Sequence, residues 1–307
     1  MSLPPGSVIR GRGVARRPAG RFAREETLPE RDDNDDTPVS APATELIPEE
    51  IRSIISRNQS PDIPFEQSVN PYRGCEHGCV YCYARPSHAY MDLSPGLDFE
   101  QKIFAKPAAA TVLRQELSKR GYRCSPITLG ANTDAWQPVE RELHITRQIL
   151  RVFVEFRHPV SIITKSALVE RDLDLLQDLA RDNLVHVLVS VTTLDDELKR
   201  RMEPRTAGPR RRIETIRRLS AGGIPCGVLA APMIPGLNDH ELENILAGAA
   251  DAGAIFAGYV LLRLPYEVLP IFSDWLQAQY PLKAAKVLSL IRQVRGGTLN
   301  DAQFGSR

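Results

Sequence analysis

The sequence predicts an α/β protein in which a parallel sheet lies under helices, and three observations carry that reading. Runs such as 160–164 (VSIIT) and 185–191 (VHVLVSV) are apolar on both faces, as buried parallel strands are. Each run is separated from the next by a longer segment with apolar residues at helical spacing. Six strand–helix units fit between residues 68 and 279, which suits a partial (β/α)6 barrel, open on one side, better than a closed eightfold barrel. Segment order alone leaves a doubly wound open sheet as the alternative. No Gly-rich dinucleotide fingerprint and no P-loop is present to favour it.

The elements follow in order. Residues 1–43 read as a disordered basic and acidic tail: Arg10, Arg12, Arg16, Arg17, Arg21 and Arg24 precede any acid, and Glu25 to Asp36 then reverse the sign. A nucleic-acid-binding arm and a self-paired, solvated tail are its two readings. Residues 44–67 are a lead-in, with a short helix expected over 49–56 from Ile51, Ile54 and Ile55 and a Pro-containing extended segment after it. The barrel occupies 68–280, with strands at 68–73, 125–129, 160–164, 185–191, 227–231 and 256–264. Helices are expected at 107–120, 140–155, 168–181, 213–221, 239–252 and 266–279. Residues 281–307 supply one more helix and an irregular tail.

Composition narrows the class. The chain has 307 residues, 42% hydrophobic and 25% charged, with a net charge of +1, which is ordinary for a soluble protein. No apolar run approaches the roughly 20 residues a membrane span needs, and the first residues lack the apolar core of a secretory signal. A cytoplasmic protein without membrane contact is expected.

The densest chemistry lies after the first strand, in NPYRGCEHGCVYCYAR at 70–85. Cys75, Cys79 and Cys82 put three of the five cysteines within eight positions. A disulfide would leave one thiol over, and soft thiolates select iron–sulfur clusters or zinc. Three thiolates on a four-iron cubane leave one iron without a protein ligand, an open position of the kind catalytic sites keep. Zinc, or a closed cluster completed by His77 or His88, is the competing reading. Gly74 and Gly78 are expected to let the backbone wrap a bulky cluster.

Cys75-x3-Cys79-x2-Cys82, with the aromatic Tyr81 before the third cysteine, resembles the radical S-adenosylmethionine (radical SAM) superfamily. The resemblance implies a partial (β/α)6 barrel of the radical SAM type and a [4Fe-4S] cluster on Cys75, Cys79 and Cys82. It implies S-adenosylmethionine chelated at the fourth iron, and an external one-electron reductant of the flavodoxin or ferredoxin type. It implies a 5′-deoxyadenosyl radical that abstracts hydrogen from a substrate. Ligands of parallel α/β folds meet the carboxyl ends of strands. There the resemblance assigns Asn132, Thr133 and Asp134 to the amino group and Lys165 to the methionine carboxylate. Ser190, with Thr192 and Thr193, suits the ribose or carboxylate, Pro232 and Tyr81 the adenine, and Arg205 also faces the cofactor.

Within the superfamily the chain resembles the spore photoproduct lyase, or DNA repair photolyase, group, through NPYRGC, TDAWQPVE, ITKS and PMIPGLND. The match is nearest to a bacterial branch carrying SIISRN–SPDIPF and SPGLDFE. The group implies Tyr81 and Tyr83 as catalytic residues in hydrogen-atom transfer; the alternative places Tyr83 in the core. A cysteine that returns hydrogen in the lyase falls at about Asn132 here, so thymine-dimer repair does not carry over. Cys124 and Cys226 are expected to be small buried residues. The segment from Lys199 to Arg218 reads either as a phosphate-binding rim or as a solvated helix surface. Nucleic acid, tRNA and peptide all stay open as substrates, and a non-catalytic, metal-stabilised nucleic-acid-binding module is the alternative of another class. Members of the group run on past position 307, which leaves the completeness of the C-terminus and the oligomeric state open.

Overall fold

A computed structural model describes residues 9, 11–23, 43–59 and 65–300. Strands β1 (Glu45–Pro48), β2 (Ile55–Arg57), β3 (Gln67–Val69) and β4 (Tyr72–Arg73) precede the cysteine loop. A 3-10 helix (Arg85–Met91), α1 (Leu97–Gln101), β5 (Lys102–Ala105) and α2 (Ala109–Leu117) follow it. Then come β6 (Ile127–Leu129), α3 (Glu140–Leu143), α4 (Ile145–Glu155), β7 (Val160–Thr164), α5 (Leu173–Arg181), β8 (Val185–Ser190) and α6 (Asp196–Met202). The chain closes with α7 (Pro209–Ala221), β9 (Cys226–Met233), α8 (Leu242–Asp251), β10 (Phe256–Leu261), α9 (Val268–Gln279) and α10 (Pro281–Val294).

The main sheet runs β10-β9-β8-β7-β6-β3-β2. From β3 to β10 all pairings are parallel, and β2 is an antiparallel edge on β3. The six parallel strands lie side by side in chain order, so every crossover steps the same way. A doubly wound sheet reverses direction at a switch point; this sheet has none, and that alternative falls. Among the described residues no pairing joins β10 to β2, so the sheet is a six-stranded barrel left open.

Burial explains the strand pattern. Val187, Val189, Val228 and Ala230 are fully buried in the central strands, and α5, α7 and α8 cover them with Leu176, Ile216, Leu219, Ile245 and Ala249, also fully buried. A second apolar cluster joins Cys79, Val80 and Tyr81 of the cysteine loop to α6, α9 and α10 through Leu198, Met202, Phe272, Leu276 and Ile291. The cysteine loop is thus packed from below as well as from the sheet.

Three expectations need correction. Residues 49–56 are not helical: Ile55 pairs with Val69, and the Glu116 carboxylate accepts from the N–H groups of Ile54 and Ile55 at 2.8 and 3.1 Å. A sheet edge and a carboxylate satisfy this isoleucine-rich backbone, where an isolated two-turn helix would be marginal. The helix over 140–155 is interrupted at His144, in the left-handed region at φ 52. The Glu140 carboxylate turns back there to accept from the Thr146 N–H at 3.0 Å. Residues 11–23, assigned from sequence to the tail, are ordered against the barrel; residues 1–8, 10 and 24–42 of that segment lie outside the described residues.

Gly130, where β6 ends, has φ +93, and a Cβ there would overlap the Ile163 carbonyl oxygen of the neighbouring strand. Gly121 has nothing within 4 Å. Gly130→Ala should therefore lose about 2–3 kcal/mol in urea denaturation while Gly121→Ala stays near wild type. Equal stability of the two variants would contradict the strand-end geometry.

Candidate active site

The cysteine loop is fixed by a buried cation. Arg85, fully buried, donates from Nε to the Cys79 carbonyl at 3.0 Å and from Nη1 to the carbonyls of Pro95 and Gly96 at 3.1 and 2.9 Å. Its Nη2 pairs with Glu100, also fully buried, at 2.5 Å. On the other side Thr133 donates its hydroxyl to the Gly74 carbonyl at 2.7 Å, and the Val80 N–H bonds the Met202 carbonyl at 3.0 Å. Gly74 and Gly78 have φ +79 and +68, but the Cβ they lack would meet the Phe99 carbonyl and the Glu100 carboxylate, each at 2.9 Å. The protein's own backbone turns alone already require glycine at both positions.

Cys75 and Cys79 are buried and Cys82 is half-buried. Burial pushes all three thiols up, Cys75 to about 12. Three buried thiols facing one another electrostatically need a positive centre to ionise, and iron supplies one. The donor set therefore fits a cluster. Among the described residues no three of His, Cys, Asp and Glu converge on a single metal ion; thiolates that each serve a different iron need no such convergence. The rival ligands have other partners: His77 Nδ1 lies 3.4 Å from Asp134, and His88 Nε2 lies 3.1 Å from the Lys102 carbonyl.

The strand ends converge beside this loop. Asp134 accepts from the Thr164 hydroxyl at 2.8 Å, from the Lys165 N–H at 2.7 Å and from the Trp136 N–H at 2.9 Å. It is an internal brace that aims Lys165, and Thr133, bonded to Gly74, braces the loop. Asn132 is exposed, with its N–H held by the Asn70 side chain at 2.9 Å. Lys165 Nζ donates to the Ser190 hydroxyl at 2.9 Å and to the Ala231 carbonyl at 3.3 Å, the residue before Pro232. The Pro232 carbonyl in turn accepts from the Asn238 amide at 3.0 Å.

Beneath Lys165 lies a residue that sequence reasoning passed over. Glu203 is fully buried and accepts from the hydroxyls of Tyr81 and Thr192 and from the Arg212 guanidinium, with Lys165 Nζ 3.9 Å away. Burial alone would raise its pKa; Arg212 and then Lys165 outweigh that and bring it from 4.5 to about 2. Tyr81 is thus pinned through its hydroxyl. The sequence signal was there only as an acid inside an arginine-rich run, which was read for its arginines.

That run is largely neutralised from within. Arg211 and Arg218 pair with Glu170, Arg217 with Glu214, Arg201 with Glu197, and Arg212 with Glu203. Arg205 pairs with Glu76 at 2.9 Å, so its guanidinium faces the cysteine loop and not the strand ends. A broad phosphate rim over 199–218 is not what the fold presents. The described N-terminal arginines are likewise engaged: Arg12 reaches the Glu100 carbonyl, Arg17 pairs with Asp98, Arg16 with Asp274, and Arg21 lies 3.8 Å from the Tyr266 ring centroid; Arg10 and Arg24 lie outside the described residues. Tyr83 is 46% exposed, not a core residue, and its hydroxyl bonds the Ala131 carbonyl. Cys226 is buried as expected, whereas Cys124 is exposed because it precedes β6 in an open loop.

Glu203→Ala leaves Arg212 buried without its counterion and should cost about 3–5 kcal/mol at pH 7. A carboxylate whose folded pKa is depressed stabilises fully above its unfolded value and loses that stability as pH falls through the folded one. The gap between wild type and variant in urea denaturation should hold above about pH 4.5 and narrow toward pH 2. A gap that widens on acidification contradicts the assignment.

The radical SAM superfamily profile matches residues 69–247. An uncharacterised protein of Mycobacterium tuberculosis is 36% identical over 233 residues, 75% of this chain and 68% of that one. The radical SAM Nalpha-GlyT isomerase of Pseudomonas phage M6 is 24% identical over 175 residues, 56% of this chain but 34% of its own length. A structure of spore photoproduct lyase complexed with dinucleoside spore photoproduct superposes with a TM-score of 0.54 at 17% identity. It covers 77% of this chain, which spans 66% of the lyase chain, and the likeness is one of fold. The profile takes in the cysteine loop and the strand ends through most of α8, and the chain belongs to the radical SAM superfamily, enzymes that use a [4Fe-4S] cluster and S-adenosylmethionine.

Proposed function

We propose that this protein abstracts hydrogen from a nucleic-acid substrate by radical SAM chemistry. The observation that carries the radical reading is the placement of three thiols, two buried and one half-buried, in one braced loop beside a lysine at the open strand ends. Cys75, Cys79 and Cys82 would hold the cluster. Lys165 suits the methionine carboxylate, because its ammonium rests on a hydroxyl and a carbonyl with Glu203 at 3.9 Å. Asn132, backed by Thr133 and Asp134, would meet the amino group, and Ser190 suits the carboxylate or ribose. Tyr81 and Pro232 border the adenine position. Arg205 acts at one remove, through Glu76 of the loop. With both cofactors bound, the chemistry available is one-electron cleavage of the sulfonium to a 5′-deoxyadenosyl radical that takes hydrogen from the substrate. The electron would come from an external carrier of the flavodoxin or ferredoxin type.

The chain's own residues do the rest. The Glu203 carboxylate fixes the Tyr81 ring and keeps a negative charge under Lys165. Packing of the loop against α6 and α9 limits water at the thiols. Tyr83, exposed on the side of Ala131, is the residue we assign to hydrogen return, since no thiol stands at Asn132. A nucleic-acid substrate is supported by the fold likeness to spore photoproduct lyase, with recognition confined to a few groups because most of the described arginines of 10–24 and 199–218 are internally engaged. No helix among the described residues is long and apolar enough to cross a membrane.

Anaerobic reconstitution should give about four irons per chain and reductant-dependent release of 5′-deoxyadenosine. Replacing Cys75, Cys79 and Cys82 with alanine should abolish both, and Lys165→Ala should weaken S-adenosylmethionine binding about tenfold in calorimetry. A colourless protein with stoichiometric zinc, or cleavage surviving in the triple variant, would sink the reading.

A further inference from the structure

A cavity of about 460 Å³ opens on the rim outside the mouth, lined by His144, Arg147, Gln148, Arg151 and Arg171. It lies at the carboxyl ends of the strands, because α4 begins after the loop that follows β6, and Arg171 belongs to the 3-10 helix (Ala167–Asp172) that follows β7. It is also tied to the mouth. Asp172 accepts from the Trp136 indole at 2.8 Å, and Trp136 hangs from the Asp134 carboxylate that aims Lys165.

The donors divide into a saturated base and an open front. Arg171 has its five N–H groups on Asp172, on the carboxylate and carbonyl of Glu140, and on His144 at 3.3 Å. Arg147 gives three of its five to Asp172 and Asp174 at 2.7–2.9 Å, which leaves Nε and one Nη2 hydrogen over. Arg151 and Gln148 are exposed and have no partner among the described residues. His144, Arg147, Gln148 and Arg151 follow one another at three- and four-residue steps and so share one face of the helix start. With Arg151 counted, three arginines stand against Glu140, Asp172 and Asp174, so the cleft as a whole is close to neutral. The front therefore suits one phosphate rather than a polyanion.

We propose that this cleft binds one phosphate group of the nucleic-acid substrate, outside the mouth, as a clamp that sets which nucleotide reaches the strand ends. The proposal rests on the nucleic-acid reading above. It names the recognition group that the paired arginines of 10–24 and 199–218 do not supply.

The test uses the reconstituted full chain, a short single-stranded oligonucleotide and inorganic phosphate as probes. Arg151→Ala should weaken the oligonucleotide about tenfold and reduce its salt slope by about one. Arg200→Ala, which removes another exposed and unpaired arginine, should change neither. Inorganic phosphate should compete with the oligonucleotide in wild type and not in Arg151→Ala. Phosphate that binds at Arg151 without competing marks a free-phosphate site and overturns the proposal. Equal effects of the two variants, or no oligonucleotide binding, overturn it as well. Release of 5′-deoxyadenosine without substrate is read separately: its loss removes the radical reading, whereas normal release with an inert Arg151→Ala removes only the cleft.

Discussion

The mouth of this barrel depends on one buried carboxylate. Glu203 sits where Arg212, Lys165, Tyr81 and Thr192 meet, and no water is needed to satisfy it. Pairing a buried charge seldom gains much stability over an apolar packing of the same volume, because desolvation offsets the Coulomb term. What the carboxylate secures is position. It fixes the ring that precedes the third thiol, and through Arg212 it ties the start of α7 to the end of β8, where Arg212 donates to the Ser190 carbonyl at 3.0 Å. A lysine whose backbone is held by Asp134 from one side and whose ammonium lies above Glu203 stays at the strand ends.

A second buried pair does the same for the thiols. Arg85 and Glu100 join the exit of the cysteine loop to α1, and the free sides of Glu100 accept the N–H groups of Gly13 and Val14 at 2.9 and 3.1 Å. The N-terminal segment is thereby drawn onto the loop. It continues past Asp98 to Asp274 on α9 and to Glu267 just after β10. One end of this strap rests on α1 and the other on α9.

Much of this was legible in sequence, and the part that was not has one physical cause. The parallel sheet could be read because most strands carry their burial in their own residues, as β6 and β9 do, whereas β10 is half-buried or exposed throughout. The thiols could be read because the motif is local. Strand order, by contrast, depends on which neighbours meet, and only the observed pairing separates a partial barrel from a doubly wound sheet. Residues 49–56 misled because their isoleucines suit either period, and the choice was made by Glu116, some sixty positions on. The arginines misled in the same way: Arg16 meets its acid 258 positions away. Charge is visible in a sequence, but its neutralisation is not.

That distinction bears on recognition. Counted along the chain, the arginines of 10–24 and 199–218 look like an interface. Counted in space, most of those described face an acid or a ring, and an ion pair already formed adds little to a phosphate's attraction while its removal destabilises the fold. Groups still able to meet a substrate must be sought among those without internal partners. Near the strand ends these are few: the Asn132 side chain and the open donors of Arg147, Gln148 and Arg151. The Tyr83 ring is exposed beside them although its hydroxyl is held by Ala131. An enzyme that uses so reactive an intermediate gains from this sparseness. Selectivity then comes from the placement of one substrate atom by a small number of directional contacts, and not from a field of charge that would hold many ligands in many registers.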